Sequence, residues 1–383
     1  MSNTIDFEQA RRKRQRARRV KQFAALAGVL LVVLLGVALN NYLVQENATV
    51  LVSDIFGALG GSGYPVNRPG GTIQDVKPFS NNLVLMSDTN LYIYNPKGKI
   101  LQNIQRITTS TAFCPAGDRL LYWQIGAKSL SLASATKVTA TLQLTDNILC
   151  ADLGDKGDVA VVTLPKQYVS QISVYSSKLD SEPFFRWYST SNIVSQVSLS
   201  PKGDSMVAGG PSGNGGNLES VLYFFSLSSD SQPQTVILPD ELLLSVDFFA
   251  TGQVAVLTDR AYRIYDRNGR CQHEYALPED MPLAGVELAE GNVLLYFENS
   301  ETRTQQLVLL NRSAQEQGNM TPEEPVADFA LNGRQVYLLY KSGIATCSHS
   351  LEQTAFYEES GVQEIALVGR TLYYFTRTEI NTL

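Results

Sequence analysis

Beyond Gly71 the chain repeats one arrangement of positions: a short apolar strand, a tight polar turn usually holding glycine, a second apolar strand, then a third strand and a polar hairpin. Aligned on the first turn, the copies read IQDVKPFSNNLVLMSD (73–88), TSTAFCPAGDRLLYW (109–123), ILCADLGDKGDVAVVT (148–163) and VSQVSLSPKGDSMVAG (194–209). They continue as LLSVDFFATGQVAVLT (243–258), LAGVELAEGNVLLYF (283–297), PVADFALNGRQVYLLY (325–340) and VQEIALVGRTLYYFT (362–376). The turns carry Asn81–Asn82 in the first copy, then Gly117, Gly157, Gly203, Gly252, Gly291, Gly333 and Gly369. The apolar runs are short, alternate with period two and favour β-branched and aromatic residues, which predicts strands. Leu91–Tyr94 and Tyr262–Tyr265 supply third strands, followed by the turns Asn95–Gly98 and Asp266–Gly269. A unit recurring roughly every 40 residues with three or four strands is the pattern of an all-β protein, a β-propeller with one four-stranded blade per unit.

Eight blades are expected, with seven the alternative if the last copy pairs differently. After the eighth turn too few residues remain for an outer strand, so a strand from before the first copy should complete the final blade. The apolar stretch Ala48–Ile55 is expected to be that clasp. Gly57–Gly71, with Pro65 and Pro69, reads as a tether.

A different pattern comes first. Phe23–Val44 carries no charge, and Val29–Leu35 is an unbroken run of Val and Leu. At about 1.5 Å per residue, a helix of that length crosses a hydrocarbon core of about 30 Å. Asn40, Asn41 and Tyr42 mark the far interface and are not the small residues of a secretory cleavage site. Ahead of the span stand Arg11, Arg12, Lys13, Arg14, Arg16, Arg18, Arg19 and Lys21. Of 31 basic and 37 acidic side chains, eight and two precede the span, which leaves 23 and 35 after it. Basic flanks stay cytoplasmic, so the long C-terminal part is expected outside the cell membrane. The expected layout is a basic cytoplasmic tail (1–21), a transmembrane helix (22–44), a strand and tether (45–71) and the propeller (72–383). Next to a span, the basic cluster reads as a topology determinant touching anionic lipid, in preference to a nucleic-acid arm.

Charge and chemistry narrow the function further. The acidic outer part argues against nucleic acid as partner. Cys114, Cys150, Cys271 and Cys347 show no metal or redox spacing; Cys114 and Cys150, in successive repeats, are read either as a bridge or as two buried free thiols. His273 and His349 have no ligand partners at metal spacing and read as solvated turn residues. Asp118, Asp155, Asp158 and Asp204 read as turn formers. No catalytic, cofactor or metal residue is assigned. Gly209–Asn217 reads as a mobile hairpin connection or a partner-contacting finger. Phe184–Tyr188 should be the outer strand of blade three, with Phe185 and Trp187 on one face and Phe184, Arg186 and Tyr188 on the other, and reads as core packed between blades or else as an exposed recognition patch. Phe184, Trp187, Gly213 and Asn214 are the candidates for partner contact.

The turn Leu199-Ser-Pro-Lys-Gly-Asp204 resembles the Ser-Pro-Asp-Gly turn of TolB-like and WD40-like propellers, and the strand rhythm is similar to eight-bladed quinoprotein-like propellers. The layout of basic tail, span, tether and propeller looks like an uncharacterised bacterial family of membrane-anchored propellers, whose resemblance carries shape and no site residues.

The expected function is a non-enzymatic scaffold at the cell envelope, held in the lipid bilayer, without cofactor, that binds an envelope protein, peptide or glycan. Two alternatives stand beside it. One is a sensor that reports an external ligand through the span. The other is an enzyme at the central channel, which predicts carboxylates gathered there.

Overall fold

The computed structural model describes residues 48–106, 110–214, 216–229 and 231–383. The basic cluster and segment 22–44 lie outside the described residues. Among those described, no helix is long and apolar enough to cross a membrane.

Among the described residues, thirty-two strands, β1–β32, form eight four-stranded antiparallel sheets, one for each repeat. The eight-blade expectation holds. The first strands of the blades are β2 (Ile73–Phe79), β6 (Thr111–Ala116), β10 (Asn147–Leu153), β14 (Gln196–Leu199), β18 (Leu243–Phe248), β22 (Leu283–Ala289), β26 (Asp328–Leu331) and β30 (Glu364–Val368). Neighbouring first strands approach one another around a common axis, least closely between β18 and β22. Second and third strands are continuous apolar runs because both faces of every blade are covered. One apolar cluster fills each of the eight joints between blades; at the joint of blades one and two, Val84 and Ile93 pack with Phe113 and Leu120.

Ring closure departs from expectation in one respect. Ala48–Ala58 is a helix, α1, and the outer strand of blade eight is β1 (Val66–Asn67), paired as Val66↔Ile380 and Asn67↔Glu379. Arg68 extends the clasp: its N–H donates to the Thr378 carbonyl at 2.7 Å, and its guanidinium donates to Gln363, Thr376 and Gly71. The stretch ATVLVSDIFGA misleads because a short apolar run without alternation fits either state. A two-residue strand, in turn, has no periodicity to read.

The tether is docked and ordered. The Asn95 side chain, fully buried in the turn after the third strand of blade one, donates to the carbonyls of Gly57 (3.1 Å) and Gly60 (2.7 Å), and the Gly63 N–H donates to the Lys97 carbonyl at 3.1 Å. Gly61 is required there: with φ at +113°, a Cβ would stand 2.2 Å from the Lys97 carbonyl oxygen.

The ring has two faces. Turns between first and second strands and between third and fourth strands form the turn face. Hairpins between second and third strands, with the connections between blades, form the crossover face. The clamp at Asn95 puts the chain's arrival on the turn face.

Candidate functional site

Alternation along each first strand sends every other side chain toward the axis. Six carboxylates arrive there, from Asp75, Asp152, Asp247, Glu287, Asp328 and Glu364, with Lys77 beside them. The Asp247 carboxyl on blade five feels Asp152 on blade three and Lys77 on blade one, and Glu287 on blade six feels Asp75 on blade one. Blades one and five oppose each other in an eight-blade ring, so these groups share the central space. Lys77 Nζ stands 3.4 Å from Asp75 Oδ2 and 5.0 Å from the centre of the Phe113 ring.

Two of the carboxylates tie blades together. Asp152 Oδ2 accepts from the Leu199 N–H at 2.7 Å and its Oδ1 from the Cys114 thiol at 3.3 Å, linking blades two, three and four. Asp328 Oδ2 accepts from the Ile365 N–H of blade eight at 2.8 Å. Ser198 Oγ repeats the device, accepting from the Phe248 N–H at 3.3 Å. Burial raises Asp152 and Asp328 to about 6. It raises Asp247, Glu287 and Glu364 to about 7, with neighbouring carboxylates adding to the rise. The channel is therefore a negative space whose charge changes near neutral pH. Among the described residues no three His, Cys, Asp or Glu side chains are grouped to hold a metal ion. Beside the channel, where β18 and β22 stand apart, a cavity of about 580 Å³ opens, lined by Asp247, Phe248, Leu288, Glu290 and Arg312.

The residues singled out in the sequence lie elsewhere. The outer strand of blade three is Phe185–Ser189. Phe184 is 52% exposed, whereas Trp187 packs on blade four, 4.8 Å from the Tyr223 ring and 5.2 Å from that of Phe225. Trp187 is thus an inter-blade residue and not an open contact. Gly213 and Asn214 end a hairpin of two ten-residue strands, β15 (Ser205–Asn214) and β16 (Asn217–Ser226), in register to Asn214↔Asn217. The ladder thus covers the described part of the connection read from the sequence as a hairpin. All four cysteines are free, and burial pushes the Cys150 thiol up to about 12. His273 lies on the exposed outer strand of blade five, and His349 Nε2 is 3.3 Å from the Asn332 carbonyl. Asp204 is a turn former as expected, accepting from Ser200 and Ser205.

The channel carboxylates were missed, although a signal was present. The aligned first strands read ILCADL, LLSVDF, LAGVELA, VADFAL and VQEIAL, each placing one acid inside an apolar run.

Comparison with solved structures finds the same fold at low identity. The yeast (Saccharomyces cerevisiae) Sqt1 structure aligns with TM-score 0.59 and 8% identity, covering 85% of this chain and all of the other. A computationally designed protein, Ika8, aligns at 0.57 and 10%, covering 85% and all. BamB from Moraxella catarrhalis aligns at 0.50 and 9%, covering 83% and all. No curated protein matches significantly. Residues 65–379, from the clasp to the start of the final strand, match one family, so the chain belongs to DUF5711, a family of unknown function.

Proposed function

We propose that the protein is a membrane-anchored, extracytoplasmic scaffold that binds a protein at the cell envelope without catalysis. The observation that carries this reading is the Asn95 clamp: it holds the chain from Gly57 to Gly63 on the turn face, away from the loops and hairpins of the crossover face that we assign to a partner. The charge-free segment 23–44 behind a basic cluster supports the anchor and its orientation. The test is crosslinking in intact cells, purification of the full-length chain and mass spectrometry of what accompanies it. One dominant envelope protein is expected. Recovery of the chain alone would overturn the scaffold reading.

The channel favours a second reading. Asp247, Glu287 and Glu364, poised at about 7, are suited to proton exchange or to holding a cationic ligand. Turnover by the purified chain that disappears in Asp247→Asn would establish it over the scaffold.

A further inference from the structure

The crossover face is not uniform, and its two halves differ in kind. On blades three to five it exposes large apolar side chains: Leu164, Tyr168, Tyr188, Ile193, Leu218 and Leu242 are each more than a third exposed. Tyr168 and Tyr188 stack at 4.4 Å, which fixes two aromatic anchors side by side. The β15–β16 hairpin rises beside them. Its ten-residue second strand exceeds the four to eight residues of the others. Ser212 ties this hairpin to Asn192 in the blade connection at 3.2 Å, so it forms a fixed wall.

On blades six and seven the same face carries Glu279, Asp280, Glu298, Glu301, Glu323 and Glu324, all exposed, against Arg303 and Lys341. Where the halves meet, a cavity of about 480 Å³ is lined by Leu277 and Met281 together with Asp259, Glu279 and one cation, Arg260. Exposed apolar side chains gathered on one face, two of them aromatic rings in contact, are the composition of an interaction site. The acids beside this one specify the charge of what covers it.

Building on the scaffold reading, we propose that the crossover face of blades three to seven docks a protein segment that sets apolar side chains beside a run of Lys or Arg. The apolar residues of that segment lie along blades three to five and its cations over blades six and seven. An anionic lipid surface or a nucleic acid meets repulsion at the acidic half, and an uncharged glycan leaves those acids unused. The described tether residues lie on blades eight, one and two, clear of the proposed surface.

The test uses the full-length chain in its own membrane, with a photoreactive phenylalanine analogue placed singly at Ile193, Leu218 and Leu242. Ile100 and Val138, exposed on the turn face, serve as controls. The crosslinked peptide of the partner is then sequenced. Crosslinks from the crossover positions alone, to a segment with Lys or Arg next to apolar residues, are expected. They should fall at least fivefold when Glu323 and Glu324 are both changed to Lys. Several results overturn the proposal: crosslinks from the turn face only, crosslinks to lipid or to a second copy, a partner segment without basic residues, or yields indifferent to the charge reversal. A protein crosslink from the turn face alone would leave the scaffold reading standing. The absence of protein crosslinks from every position would remove both.

Discussion

Glu241 and Asp247 stand six residues apart in blade five, and the fold treats them in opposite ways. Glu241, 8% exposed on the crossover side, is held by the Arg263 guanidinium through two hydrogen bonds, Nη1–Oε2 at 2.6 Å and Nη2–Oε1 at 2.7 Å. It also accepts from the Thr258 hydroxyl at 2.7 Å. Burial pushes this carboxyl up, but Arg263 and Thr258 outweigh it and hold it below the usual range. Asp247 faces the channel with no such cation in contact, and burial with the Asp152 charge carries it up to about 7. The comparison separates two uses of an acid. A carboxylate enclosed with its own cation fastens the structure, whereas one left short of positive charge is available to something that brings it.

The largest effect should come from breaking the enclosed pair. Arg263→Met strands Glu241 without its cation, and such a change costs about 3–5 kcal/mol. A drop in the urea midpoint with an unchanged slope is the expected reading. A shift of only a few tenths of a kcal/mol would mean that water reaches Glu241.

The second prediction concerns pH. The channel acids bind protons more tightly in the folded chain than in the unfolded one. Their contribution to stability is therefore fully present below the ordinary carboxylate range near 4 and is lost as pH rises through about 6 to 7. Glu241, with its lowered value, acts in the reverse sense and loses its contribution as the medium becomes acid. Melting temperature should fall between about pH 4 and 7, and the triple change Asp247→Asn, Glu287→Gln, Glu364→Gln should flatten that fall. An unchanged slope in the triple variant would show that these acids are as well solvated when folded as when unfolded.

The smallest effect belongs to Lys77, which pulls both Asp247 and Glu287 down. Lys77→Gln should raise both carboxyls by less than about one pH unit, read by carboxyl carbon NMR titration. No movement of either would place the lysine charge outside the shared space.

The ring was legible in the sequence because its determinants are local. Short alternating strands, glycine turns and Asx turns such as those at Asn95 and Asp266 recur at a fixed period, and the structure reproduces them as β4 (Asn90–Tyr94) and β20 (Ala261–Tyr265) with their turns. The clasp was half legible. The shortage of residues after the eighth turn called for a strand from the N-terminal side, but Val66–Asn67 is defined only by its partner in blade eight. The channel was the least legible part, because six of the eight blades contribute one acid each and the set exists only once their distant first strands surround one axis. Trp187 shows the converse: an aromatic cluster conspicuous in sequence is spent on packing blade three against blade four.

The order of attachments along the tether has a mechanical meaning. Beginning at Gly57, the chain meets the Asn95 hydrogen bonds first, then the Gly63–Lys97 bond, and only then the two-residue strand that closes the ring. A pull arriving from the N-terminal side is thus absorbed by blade one before any tension reaches Val66–Asn67. A propeller fastened this way keeps its circle of blades shut when force is applied at Gly57.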